Sequence, residues 1–136
     1  MNTQEQNKET VRRILLEGDK RGPGILDELC ASDYKMHIPS NGKPIGLEEQ
    51  KALWQEFIDA FPDLSHTMHE AIAEGDYVTT RETIRGTNEG EFEGTPSTGK
   101  KVEFSCVGLW RFADGKLVEY RVDADLLGLN QQLGMN

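Results

Sequence analysis

Near the end of the chain Arg121, Asp123 and Asp125 fall on alternate positions, opposite Tyr120, Val122 and Ala124. On a strand this spacing puts all three ionisable side chains on one face. A carboxylate held out of water has its pKa raised and can act as a general base. Asp123 is the first candidate for that role, set against an ordinary exposed aspartate at a strand end. Asp125 stands directly before Leu126-Leu127-Gly128-Leu129, the place of a helix N-cap, so capping competes with catalysis there.

The histidines are His37, His66 and His69. On a strand His66 and His69 point to opposite faces, so they cannot chelate one metal as a pair. His66 shares a face with Leu64 and Met68 and is expected to point inward, as a hydrogen-bonded core histidine or as a pocket group touching substrate. His69 is expected to be exposed. Gly94-Thr95-Pro96-Ser97-Thr98-Gly99-Lys100 follows most of a phosphate-binding loop, but Lys101 stands where its hydroxyl should be. A strand rather than a helix follows, which removes the anion-binding helix end. Cys30 and Cys106 lie far apart, form no CxxC and read as reduced core thiols. No motif calls for a metal or organic cofactor.

The elements that must position these groups follow from periodicity and turn signals. Thr3 and Gln6 suggest a capping box, and Val11, Ile14 and Leu15 recur at helical spacing until Gly18 and Gly22-Pro23-Gly24. Ile25, Leu26 and Leu29 suggest another short helix. Tyr34, Met36 and Ile38 alternate as a first strand ending at Pro39 and the Asn41-Gly42 turn. Leu47, Leu53, Trp54, Phe57, Ile58 and Phe61 share one face of a second long helix, stopped by Pro62. Strands are then expected from His66, Met68 and Ile72 on one face, and over residues 77–87, 101–112 and 116–124. Asp114-Gly115 is a hairpin signal between the last two. Residues 126–133 read as a short docking helix. Helices followed by a long antiparallel meander imply an α+β architecture. Trp54, Phe57, Phe104 and Trp110 are candidates for a pocket wall, although aromatic stripes at such spacing also build plain core.

At 136 residues the chain is expected to form one domain, 1–136, with room for a core and one ligand cavity. A formal net charge of −9 argues against nucleic acid and against an anionic membrane as partners. No apolar run approaches the ~20 residues of a membrane span. The polar first twenty residues show no secretory signal, so a cytoplasmic location is expected.

The order of FPDL, AEGD, RGTNEGEFEGTPSTGKKVEFS, DGKLVE and DLLGLNQQLG over residues 61–134 resembles the SnoaL-like polyketide cyclase (ester cyclase) family of the nuclear transport factor 2-like superfamily. The resemblance implies a cone-shaped, curved, mostly antiparallel sheet wrapped around the N-terminal helices, with an apolar pocket inside. It places Asp123 on a strand running along that pocket and His37 near its rim. It implies a homodimer and a small-molecule substrate bound among such residues as Tyr34, Met68 and the aromatic wall. Family members often carry tryptophan where Glu82 and Arg121 stand, and the exchange predicts that these opposite charges pair in or beside the pocket. Breaking such a buried pair would cost roughly 3 to 5 kcal/mol.

The chemistry implied is cofactor-independent acid–base catalysis, with intramolecular aldol condensation as the family's example. Asp123, or Asp125, would be the base; His66, His37 or Arg121 would be the donors. Isomerisation, dehydration or epoxide opening in the same pocket, and a non-catalytic ligand-binding module, are the alternatives. A fold of this kind hosts many functions, so the site has to decide among them.

Overall fold

The computed structural model describes residues 2–39 and 42–135; Asn41 of the expected Asn41-Gly42 turn lies outside them. The first helix, α1 (Thr3–Arg21), starts at Asn2, whose Oδ1 accepts from the Glu5 backbone N–H at 2.8 Å. Asparagine therefore caps this helix, where a Thr3 capping box was expected. Val11, Ile14 and Leu15 form its buried stripe. A short α2 (Ile25–Leu29) leads directly into β1 (Cys30–His37), and α3 (Leu47–Ala60) ends just before Pro62. Four strands follow: β2 (Ser65–Glu74), β3 (Tyr77–Thr87), β4 (Lys101–Ala113) and β5 (Lys116–Ala124), then α4 (Leu126–Leu133).

The curved sheet has the order β1-β5-β4-β3-β2. All pairs are antiparallel except β1 with β5, where His37 stands beside Arg121. The β4–β5 hairpin turns at Asp114 and Gly115, both at positive φ, 51° and 79°. A two-residue turn of that kind matches the right-handed twist of its strands, and Asp-Gly tolerates it best.

In β2 the register shifts between Met68 and Glu70, leaving His69 as the extra residue. The shift reverses the alternation, so Ala71 and Ala73 turn inward while Ile72, expected inside with His66 and Met68, is exposed.

The segment between β3 and β4 is organised by one side chain, not by phosphate-loop geometry. The buried Asn88 donates to the carbonyls of Ala60 and Gly90, and its Oδ1 accepts from the backbone N–H and hydroxyl of Thr98. Gly94 to Lys100 thus runs as a pinned loop into β4, without the helix a phosphate site needs.

The helices cover the concave face. One core cluster gathers Val11, Ile14, Leu15, Ile25, Leu26, Tyr34, Met36, Val78, Trp110 and Tyr120. A second joins Phe61, Phe92, Val102, Phe104, Leu129 and Leu133 under α4. Cys30 and Cys106 are both free and buried. Among the described residues no helix is long and apolar enough to cross a membrane.

Candidate active site

Between the concave face and the helices lies a cavity of about 460 Å3. Trp54, Phe57, Phe104 and Trp110 form part of its wall, with Ile14, Leu15, Leu53 and Leu64. Its polar side chains are few: Gln50, His66, Glu82, Tyr120, and Asp123 with Asp125 near Leu126 and the exposed Leu127. A mostly apolar hollow with a small set of polar groups is the usual form of a small-molecule site.

Glu82 dominates the interior. It pairs with Cys106 across β3 and β4, and Cys106 pairs in turn with Ala124, so all three side chains share the concave face. The residue is 1% exposed, and its Oε2 has no hydrogen-bond partner. Burial pushes its carboxyl up from the ordinary range, while the Thr80 hydroxyl and then the charge of His66 act the other way. Thr80 Oγ1 accepts from Trp110 Nε1 at 2.8 Å, which leaves its own proton for the carboxylate.

The imidazole of His66 faces the same space. Its Nδ1 and its backbone N–H both meet the carboxylate of Asp19, each at 2.7 Å, so α1 fixes the ring from behind. Nδ1 carries the shared proton, and the other ring nitrogen is the one left for a ligand. On the sheet His66 pairs with Ile84, and Met68, next on the same face, pairs with Glu82, which makes His66 a diagonal neighbour of Glu82.

Tyr120 stacks on Trp110 with ring centroids 3.9 Å apart. Gly108 permits this, since a Cβ there would stand 2.7 Å from Tyr120 Cε1 and 2.8 Å from Trp110 Nε1. Burial raises the Tyr120 hydroxyl well above its ordinary value, and it hydrogen-bonds the Cys106 thiol. Burial first, then the charge of Glu82, pushes that thiol up to about 12. It is protonated at neutral pH and a poor nucleophile.

The other expected residues are placed differently. Arg121 pairs with Leu109 on the convex face, is exposed, and meets Glu119 at 3.4 Å. The expected ion pair with Glu82 is therefore absent, because period-two alternation sends the two side chains through opposite faces. His37 also leaves the cavity: its Nε2 lies 2.7 Å from Glu119 Oε2. Arg111 first, with His37 and Arg121, holds that carboxyl below its ordinary range.

Asp123 stands opposite the exposed Val107, itself exposed at the cavity's edge. Asp125 caps α4, its Oδ1 accepting from Gly128 N–H at 2.9 Å. Met68 and Tyr34 pack in the core and do not line the cavity. Sequence reasoning missed Asp19, Gln50, Thr80 and Tyr120. Tyr120 alone had a signal, since it lies on the apolar side of β5; nothing local joins Asp19 to His66, 47 residues away. Among the described residues no three His, Cys, Asp or Glu side chains gather as a metal site.

Comparison with known proteins adds a lineage to this geometry. The family model described as SnoaL-like polyketide cyclase matches residues 9–133. A candidate SnoaL-like polyketide cyclase from Jannaschia sp. CCS1 is 27% identical, with a TM-score of 0.90 over 100% of this chain and 96% of its own. IdmH, a candidate polyketide cyclase from Streptomyces antibioticus, is 32% identical, with a TM-score of 0.83 over 93% of this chain and 97% of its own. An epoxide hydrolase of the LEH-like type from M. tuberculosis shares the fold at 16% identity, with a TM-score of 0.75 over 97% and 92%. No curated protein sequence matches the chain.

Proposed function

This chain belongs to the SnoaL-like polyketide cyclase family, and from that premise we propose that it catalyses acid–base chemistry on a carbonyl-containing small molecule, with Glu82 as the base. One observation carries the reading: a buried carboxylate with one oxygen left unpartnered stands in the wall of an apolar cavity. Burial has shifted its carboxyl upward, toward the range in which a general base works best. Asp123, the expected base, is exposed and lacks that shelter.

In an aldol condensation Glu82 Oε2 takes the proton from a carbon flanked by carbonyls. The C–H electron pair becomes the enolate, the enolate carbon bonds to a second carbonyl carbon whose π pair moves onto its oxygen, and the resulting alkoxide takes the proton back from Glu82, which restores the carboxylate. His66, held by Asp19, turns its second ring nitrogen toward the oxygen on which charge develops, and can donate to it when that nitrogen carries a proton as well. The aromatic walls fold the substrate into a reactive pose. These steps move protons and electron pairs without any change of oxidation state, and they ask for no metal or organic cofactor. The protein is further read as a homodimer that associates through its convex sheet face.

The test is turnover of wild type beside Glu82→Gln and Asp123→Asn, on aromatic polyketide methyl esters, β-dicarbonyl compounds and simple epoxides. Loss of the base should lower kcat by roughly 10²–10⁴-fold, while Asp123→Asn stays within a few-fold of wild type. Full activity in Glu82→Gln would refute the assignment. Silence across the panel, with ligands still raising Tm, would make the protein a binding module.

A further inference from the structure

We propose a second activity for this cavity: elimination of water from β-hydroxy carbonyl compounds, with Glu82 taking the α-proton and His66, positioned by Asp19, giving a proton to the departing hydroxyl. The proposal rests on the reading of Glu82 as the base, and extends it to the class of compound that an aldol condensation yields.

In the condensation the proton that Glu82 removes returns to the alkoxide, so one proton-carrying side chain suffices. The fold builds a second. Asp19, near the end of α1, uses both carboxylate oxygens on one residue of β2. Its Oδ2 accepts from the His66 backbone N–H and its Oδ1 meets the ring Nδ1, each at 2.7 Å. Little water reaches this contact, since the His66 and Asp19 side chains are 11% and 15% exposed. A carboxylate behind Nδ1 fixes the ring and offsets the charge it carries when protonated, which leaves Nε2–H as a proton donor.

On its other side His66 is the diagonal neighbour of Glu82, and its charge acts on that carboxyl. The described lining contains no lysine or arginine, so His66 is its one side chain able to carry positive charge. An acid and a base therefore stand side by side on the concave face, close enough for one H–C–C–O unit to touch both.

That pairing answers the difficulty of the elimination. Hydroxide is a poor leaving group, and an apolar cavity has nothing to solvate it. The carbon–oxygen bond breaks only as a proton reaches the oxygen. Glu82 Oε2 takes the α-proton, and the C–H pair becomes the carbon–carbon double bond by way of the enolate. The C–O pair leaves with the oxygen, which takes the proton of His66 Nε2 and departs as water. Glu82 is then a carboxylic acid and His66 a neutral imidazole; passage of one proton between these neighbours restores both. No oxidant, reductant or co-reactant enters.

A single β-hydroxy ketone, 4-hydroxy-4-phenylbutan-2-one, tests this with the full chain. It can lose water to give 4-phenylbut-3-en-2-one, or undergo the reverse of an aldol condensation to give benzaldehyde and acetone. Wild type should form the enone, separated from benzaldehyde by chromatography. In His66→Gln, which stays polar but has no proton to transfer, the ratio of enone to benzaldehyde should fall by roughly 10²-fold or more. In Asp19→Asn, which keeps an acceptor for Nδ1 and removes the charge, the ratio should fall by at least about tenfold. A merely structural role for either residue would lower both products together and leave the ratio alone. Glu82→Gln should lose both products.

Benzaldehyde without enone from wild type would overturn the proposal and leave Glu82 standing as an aldol base. No product at all, or a ratio unchanged in both variants, would overturn it too. Both products undiminished in Glu82→Gln would refute the base assignment, and the proposal with it. Should His66→Gln not fold, Asp19→Asn decides.

Discussion

Glu82 holds a carboxyl where water cannot reach it, and stability should record the strain. Its folded pKa is raised, so the folded state binds more protons than the unfolded state between the ordinary carboxylate value and the raised one. Stability associated with this group is therefore full below the ordinary value and is lost as pH rises through the folded one. Glu82→Gln should match wild type near pH 4 and melt higher at pH 8. Relief of about 1 kcal/mol corresponds to roughly 3–6 °C for a chain of this size. Equal melting temperatures at pH 8 would show that the carboxylate is solvated after all. The charge at residue 82 was legible only as a departure from the family resemblance, in a strand that also carries Arg81 and Arg85, and its partner was not legible at all. The expected partner, Arg121, belongs to the opposite parity of β5, whose apolar side carries Tyr120 and Val122. What does hold the neighbouring His66 is Asp19, and a contact between a helix and a strand leaves no local pattern to read.

The elements themselves were largely legible, because each strand from 77 onward is cut by turn residues and alternates cleanly. Two features were not. The pairing of β1 with β5 joins residues more than eighty positions apart, so no turn announces it. The bulge at His69 adds one residue to β2, and a single insertion was enough to send Ile72 to solvent. Gly108 shows how an element can depend on a missing atom. The Tyr120 ring crosses β4 at that point, stacked on the tryptophan whose Nε1 serves Thr80 beneath Glu82. Gly108→Ala should push the ring aside, destabilise the protein by about 1–3 kcal/mol, and slow turnover with an intact Glu82. Unchanged melting, read by circular dichroism, would mean that the stack moves without cost. Turnover is expected to follow because the chain Trp110–Thr80–Glu82 orients the carboxylate proposed as the base.

On the scale of the whole molecule the sheet has one face packed under helices and another that carries apolar groups to solvent. Ile72, Tyr77, Val107 and Leu109 are 62%, 45%, 49% and 38% exposed. Register sets them in adjoining rows: Ile72 beside Thr79, Leu109 and Arg121; Tyr77 beside Arg111 and Glu119; Val107 between Arg81 and Asp123. Apolar residues thus lie among charges of both signs, several already paired, as Arg81 is with Glu70. A patch of this make-up suits contact with its own copy, because a two-fold axis can set the apolar rows together and acidic groups over basic ones. This also accounts for Arg121, whose departure from the pocket left it without a role there. Light scattering at micromolar concentration should give the mass of a dimer, and Leu109→Glu should give a monomer. The cavity lies between the concave face and the helices, so the monomeric variant should bind the ligands of wild type with unchanged affinity. A monomeric wild type would remove the dimer and leave this face unexplained, while loss of ligand binding in Leu109→Glu would show that the two faces are not independent.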